Sequence, residues 1–201
     1  MNNKPINHRQ LWEVWPSKNR IICKGKCMTG PRSDLIYYIP CLSCLIIVPN
    51  AFFLFVAPYI FLNVTYYLPI LSIVLYISTL AFYFATTFMD PGIIPRRPIL
   101  EIINNNSTCQ DFMNIDMNRF CSTCQIYKPS RSHHCKKCDN CVEIFDHHCP
   151  YLNNCIGGRN YLFFFAFVLS ATLLSLVDIA GCFLFIFHDY KKLGAVKPTC
   201  K

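Results

Sequence analysis

The chain has 201 residues, 53% of them hydrophobic and 15% charged, with a formal net charge of +8. So much apolar character with so little charge excludes an ordinary soluble globular domain and points to a membrane protein. No folded reader motif accompanies the basic residues, which excludes nucleic acid as a partner.

Residues 1–34 are polar and basic, with seven Lys or Arg against two acids. They form no cleavable signal peptide. The run Lys18, Arg20, Lys24, Lys26 and Arg32 suits an anionic cytoplasmic leaflet. From Leu35 to Phe88 there is no Lys, Arg, Asp or Glu. One membrane span needs about 20 apolar residues, so 35–88 holds two spans and a short lumenal turn. Pro58, Asn63 and Pro69 place that turn near 57–66. Asn63-Val64-Thr65 within it matches a glycosylation acceptor but reads better as an unused chance match. Asp90-Pro91-Gly92 reads as a helix stop at the interface.

A polar segment, 89–160, follows with eight Lys or Arg. A third apolar stretch runs from Tyr161 to about Phe187 and includes Asp178, expected near the lumenal interface. A tail, 188–201, completes the chain. The positive-inside rule puts the N-terminal region and the 89–160 segment in the cytosol. Lys191 and Lys192 beyond the third span run against that rule. The fold expected is an α-helical polytopic membrane protein with three transmembrane helices and a cytosolic cysteine-rich domain.

The chemistry lies between Cys121 and Cys155, which contains seven of the fourteen cysteines and four of the six histidines. A reducing cytosol argues against disulfides there. The order is Cys121-x2-Cys124, His134-Cys135-x2-Cys138-x2-Cys141, His148-Cys149, Cys155. Paired Cys-x-x-Cys units bring two thiolates to one zinc, and several of them with interspersed His point strongly to structural zinc. A short polar segment also needs metal where its apolar core is small. Two closed tetrahedral sites of three cysteines and one histidine consume six cysteines and leave one spare. Cys149 is the best candidate, with His147 two residues away and Asp146 to orient that histidine. Spacing alone divides evenly between Cys149 as nucleophile and Cys149 as a further ligand.

From Cys121 to Tyr161 the chain resembles the cysteine-rich domain of the DHHC protein S-acyltransferases, the palmitoyltransferases, through Asp146-His147-His148-Cys149 and a Cys/His pattern in register. "MDPGIIPR" (Met89 to Arg96) resembles that family's Asp-Pro-Gly element. "NRIICKGKCMTGPRSD" (Asn19 to Asp34) is similar to the N-terminal region of its Golgi and plasma-membrane, Ras-palmitoyltransferase-like subgroup.

The resemblance implies two interleaved zinc sites. Cys121, Cys124, His134 and Cys141 would hold one ion. Cys135, Cys138, His148 and Cys155 would hold the other. It further implies Cys149 as nucleophile, His147 as base and Asp146 as its orienting partner. Acyl-CoA is the implied co-substrate, and Arg131, Lys136, Lys137 and Arg159 are candidates to attract its phosphates. The implied acceptors are cysteines of membrane-associated proteins, with an accessory subunit or oligomer as further partners. The implied location is the endomembrane system (Golgi or ER) or the plasma membrane, with the active site facing the cytosol. Tyr151 stands where Trp is usual in the family, and Leu152-Asn153 where Val-Gly is common. The family's fourth span and Thr-Thr-x-Glu element are not found, so the chain is expected to be truncated. The alternative is a catalytically impaired, zinc-binding membrane partner of full-length acyltransferases.

Overall fold

The computed structural model describes residues 15–97 and 119–195. Residues 1–14, 98–118 and 196–201, which include parts of the expected N-terminal region, cysteine-rich segment and tail, lie outside the described residues. The chain divides into two compact units, Met1–Tyr38 with Phe84–Phe164, and Ile39–Tyr83 with Phe165–Lys201.

The second unit is helical. Three helices among the described residues are long and apolar enough to cross a membrane: Arg32–Asn63, Tyr67–Phe88 and Tyr161–Lys191. The first comprises α1 (Leu35–Phe55) and a short α2 (Ala57–Asn63). α3 is Tyr67–Phe88 and α4 is Tyr161–Ala195. The expected turn at 57–66 is therefore mostly helix. Pro58 sits in the first turn of α2, where a missing N–H leaves no bond unmade. The break is confined to Val56 and to residues 64–66. α4 also runs past the expected end near Phe187, because no proline lies between Tyr161 and Ala195.

Pro40 and Pro49 lie inside α1 without ending it. Asn50, next to Pro49, donates to the Ile46 carbonyl at 2.8 Å and to the Tyr76 hydroxyl at 3.0 Å. Close packing is anchored at Tyr83, which is fully buried and meets Phe167 edge-on at 5.3 Å. Gly181 lets α4 approach α1: a Cβ there would fall 2.7 Å from the Phe52 ring. Ser72 donates to Asp178 at 2.5 Å, so the acidic residue of the third apolar stretch is bonded within this unit. Ile36, Leu54 and Leu62 are strongly exposed, as residues facing lipid would be.

The first unit is built from hairpins too short to be stable alone. β1 (Arg20–Ile22) pairs with β2 (Cys27–Thr29). β3 (Ile93–Ile94), β7 (Asn140–Val142) and β6 (His133–Cys135) form one antiparallel sheet in that order. β4 (Phe120–Cys121) pairs with β5 (Ile126–Tyr127), and β8 (His147–Cys149) with β9 (Asn154–Ile156).

The end of α3 is bound into this unit by side chains. A helix leaves its last carbonyls unpaired. The Asn154 amide supplies donors to the carbonyls of Thr86, Thr87 and Met89 at 3.1, 3.1 and 2.8 Å. Asp90 then accepts from the backbone N–H groups of Gly92 and Ile93 and from Arg159 at 2.5 Å. Gly92 has φ +104, a conformation glycine adopts without strain. The Asp-Pro-Gly element is thus a helix stop that docks against the cysteine-rich segment.

Gly157 is wedged in the same place. An added Cβ would lie 2.5 Å from the Pro91 carbonyl oxygen and 2.6 Å from Val142, whereas at Gly158 the nearest atom would be 3.2 Å away. Gly157→Ala is expected to destabilise the unit by about 1–3 kcal/mol, the usual scale of overpacking. Gly158→Ala should cost less. Thermal unfolding of the two purified variants, followed through tryptophan fluorescence, checks the order.

Candidate functional site

Strand alternation distributes the ligands. Adjacent residues of a strand point to opposite faces. On β6, His134 therefore faces one way and Cys135 the other. His134 joins Cys121, Cys124 and Cys141, while Cys135 joins Cys138, His148 and Cys155. In each group the ligand atoms lie within 4.8 Å of one another. His134 opposes Cys141 across the β6–β7 pair, and His148 opposes Cys155 across β8–β9. The two sites interleave, since β6 supplies both groups and the knuckle Cys135–Cys138 lies between His134 and Cys141 of the first group.

The spacing suits zinc. With Zn–S about 2.3 Å and Zn–N about 2.0 Å, a tetrahedral site puts sulfur and nitrogen about 3.5 Å apart. His134 Nδ1 lies 3.6, 3.5 and 3.7 Å from the sulfurs of Cys121, Cys124 and Cys141. His148 Nδ1 lies 3.4 and 3.5 Å from those of Cys138 and Cys155, which are 3.5 Å apart. Each metal-facing imidazole turns its other nitrogen to a carboxylate. His134 Nε2 is 3.5 Å from Asp139, and His148 Nε2 is 2.6 Å from Asp34. Such outer carboxylates fix the tautomer of metal-bound histidines.

Local backbone shapes the knuckles. Gln125 and Asp139, each directly after a Cys-x-x-Cys pair, have φ of 53 and 58. This left-handed step costs a non-glycine residue about 1–2 kcal/mol. The Cys138 N–H points at Cys135 Sγ at 3.4 Å, and the Asp139 N–H donates to the Cys135 carbonyl at 2.7 Å.

The thiols of the second group share protons among themselves. Cys135 is held far below the ordinary thiol range because Cys138 and Cys155 donate to it. Cys155 is held far above that range for the matching reason, its hydrogen bonds to Cys135 and Cys138, with burial adding to it. Burial opposes a charge on His148, yet Cys135, Cys138 and Asp34 raise it to about 11. Among these four residues the protons sit where a zinc ion would displace them. The donor sets thus fit two structural zinc ions.

The same alternation rule separates His148 from its neighbours. His147 and Cys149 share the opposite face of β8. His147 Nδ1 is 2.8 Å from Asp146 Oδ2, and its ring meets Phe164 edge-on at 5.3 Å. Asp146 and His147 are about half exposed, whereas Cys149 is 8% exposed. Burial pushes the Cys149 thiol up, while hydrogen bonding to the backbone of Leu152 and Tyr151 and the charge of His148 pull it down. No hydrogen bond joins His147 to Cys149 among the described residues. The structure therefore gathers all eight expected ligand residues into two groups that exclude Cys149, and sets Asp146, His147 and Cys149 apart from them. Of the expected phosphate-attracting residues, Arg159 is engaged with Asp90.

Sequence reading missed three contributors. Asp139 follows a Cys-x-x-Cys pair, a position that could have signalled an outer carboxylate. Asn154 carries no signal beyond standing next to Cys155. Asp34 lies 114 positions from His148, and only its place beside an uncharged run marks it.

This architecture, a cysteine-rich domain fitted to two metal ions with apolar helices long enough to span a bilayer, defines a class of membrane protein. Residues 114–199 match the family described as DHHC palmitoyltransferase. The chain is 33% identical to Palmitoyltransferase ZDHHC14 of Homo sapiens over 197 residues, covering 88% of this chain and 40% of that protein. It is 34% identical to Palmitoyltransferase ZDHHC18-B of Danio rerio over 199 residues, covering 90% and 50%. A shorter stretch of 58 residues, 29% of this chain and 10% of the relative, is 64% identical to Palmitoyltransferase erf2 of Aspergillus fumigatus. The chain spans half or less of the length of these relatives. Together the findings support the DHHC palmitoyltransferase family for this chain.

Two zinc ions per chain are the expected content, measured by elemental analysis. Cys138→Ala should lose metal, whereas Cys149→Ser should retain both ions. Retention should also fall as the pH drops below neutrality, because thiols held above their ordinary range take protons back readily. Zinc release against pH, read with a colorimetric chelator, tests the sign.

Proposed function

We propose that the chain is a protein S-palmitoyltransferase, moving a long-chain acyl group from acyl-CoA to cysteines of membrane-associated proteins through an acyl-Cys149 intermediate. The observation that carries this reading is His147, 2.8 Å from Asp146 and on the same strand as a cysteine left out of both metal groups.

In the first half-reaction His147 takes the Cys149 proton as sulfur attacks the thioester carbonyl. Asp146 holds the imidazole tautomer and favours its charged form. The carbon–sulfur bond to CoA breaks, and the CoA thiolate leaves with the proton returned by His147. In the second half-reaction an acceptor thiol loses its proton to His147 and attacks the acyl-Cys149 carbonyl. The Cys149 thiolate leaves and recovers the proton. Zinc at the two sites would supply no chemistry to the acyl group; it would hold the hairpin that carries Cys149.

The cytosolic placement of 89–160 rests on the distribution of Lys and Arg. The proposed domain division is a basic N-terminal region 1–34, two spans in 35–88, a zinc domain 89–160, a third span 161–187 and a tail 188–201. Golgi or ER membrane, or plasma membrane, is the proposed location. The burial of Cys149 favours a second reading, a zinc-bearing membrane partner without its own catalysis.

Labelled palmitoyl-CoA is expected to leave a hydroxylamine-sensitive adduct on Cys149, located by peptide mapping. His147→Ala should slow labelling by about a hundredfold or more, the scale for losing a general base, with both zinc ions retained. A folded, zinc-loaded chain that takes no label on Cys149 would decide for the non-catalytic partner. Protease treatment of sealed microsomes checks the orientation: cleavage of the Cys121–Cys155 segment is expected, and its protection would refute a cytosolic site.

A further inference from the structure

The acidic residue at the head of the first apolar helix is almost wholly enclosed. Asp34 is 2% exposed. Its Oδ1 accepts from the Ser33 hydroxyl at 3.1 Å, and its Oδ2 lies 2.6 Å from His148 Nε2. The other nitrogen of that imidazole, Nδ1, faces the sulfurs of Cys138 and Cys155. An imidazole bound to metal through Nδ1 can only donate at Nε2, and an ionised carboxylate can only accept. The two groups therefore fit in one protonation arrangement. The parallel contact in the other site, His134 to Asp139, is longer and uses a carboxylate five residues away.

Asp34 is not needed merely to keep its segment in place. The Lys18 N–H donates to the Cys138 carbonyl at 3.0 Å, and the Gly30 N–H to the Asn153 carbonyl at 2.5 Å. The Thr29 hydroxyl donates to that same carbonyl at 3.0 Å. In the orientation that satisfies both its groups, the Asn153 side-chain amide donates to the Pro31 carbonyl and accepts from Arg20, each at 3.0 Å. The segment before α1 is thus attached at several points that involve no carboxylate.

We propose that Asp34 is a positioning residue of the second metal site. It holds His148 in the tautomer that ligates through Nδ1, and so makes metal retention beside Cys149 depend on the residue that opens the first apolar helix. The inference rests on reading this group as a zinc site.

The test uses the purified full chain, with zinc content measured first and zinc transfer to a colorimetric chelator followed in time. Asp34→Asn, nearly isosteric, is expected to release one of two zinc equivalents about 10- to 100-fold faster, the usual cost of removing an outer partner. The other equivalent should leave at the wild-type rate. Asp34→Glu, which keeps a carboxylate, should recover part of the retention. Thr29→Val, which loosens the same segment and keeps Asp34, should leave both rates unchanged. Wild-type release from Asp34→Asn, or equal acceleration by Thr29→Val, overturns the proposal. A readout independent of any variant is nitrogen NMR of histidine-labelled, zinc-loaded wild type. It should show His148 protonated at Nε2 and metal-bound at Nδ1, and the reverse tautomer overturns the proposal. Fewer than two zinc ions per chain would instead remove the metal reading, and this inference with it.

Discussion

Coordination of thiolates by a cation is the interaction on which the cysteine-rich unit depends, because cysteines make up much of what it buries. One of its buried clusters consists of Ile93, Val142 and three cysteines, Cys135, Cys138 and Cys155. Another is Ile126 with Cys121, Cys124 and Cys141. The side chains that would form an apolar core in another protein are here ligands. Zinc binding supplies roughly 10 kcal/mol or more per site in small domains of this kind, far beyond what two or three aliphatic residues contribute. The short hairpins β4–β5, β6–β7 and β8–β9 each carry residues of a metal group.

Polar side chains extend that rigidity to the helix end within the same unit. Asn154 opposes Cys149 in the β8–β9 pair and also caps the last turn of α3. Asn160 bonds the Cys155 carbonyl at 2.9 Å and accepts from the Gly157 N–H at 2.9 Å. The candidate nucleophile is therefore fixed twice, by the metal groups on its own hairpin and by an amide that closes a helix. A loosely tethered thiol could not be presented at one repeatable position.

Much of this was legible in the residues. An uncharged run of 54 positions, Leu35 to Phe88, can hardly be other than membrane helix. Cysteine pairs at knuckle spacing announced the metals, because a tight turn with two thiols has few other uses. What spacing could not decide was the pairing of ligands, since adjacent His134 and Cys135 look alike in a linear reading and differ only once a strand turns them apart. Nor could it show α2, since Pro58 ends or begins a helix with equal ease until its neighbours are known. The Asp34–His148 contact was invisible for a different reason: no local rule links positions separated by 114 residues.

The alternation along β6 has a consequence for how such a chain can change over time. Substitutions between the ligands leave each side chain on its own face. Inserting one residue within β6, between His134 and Cys135, does something else, because Cys135 then moves to the opposite face. A donor meant for one ion would then be offered to the other, leaving one group overfilled and the other short. Within the strand, length is therefore constrained as strictly as the identity of the ligands.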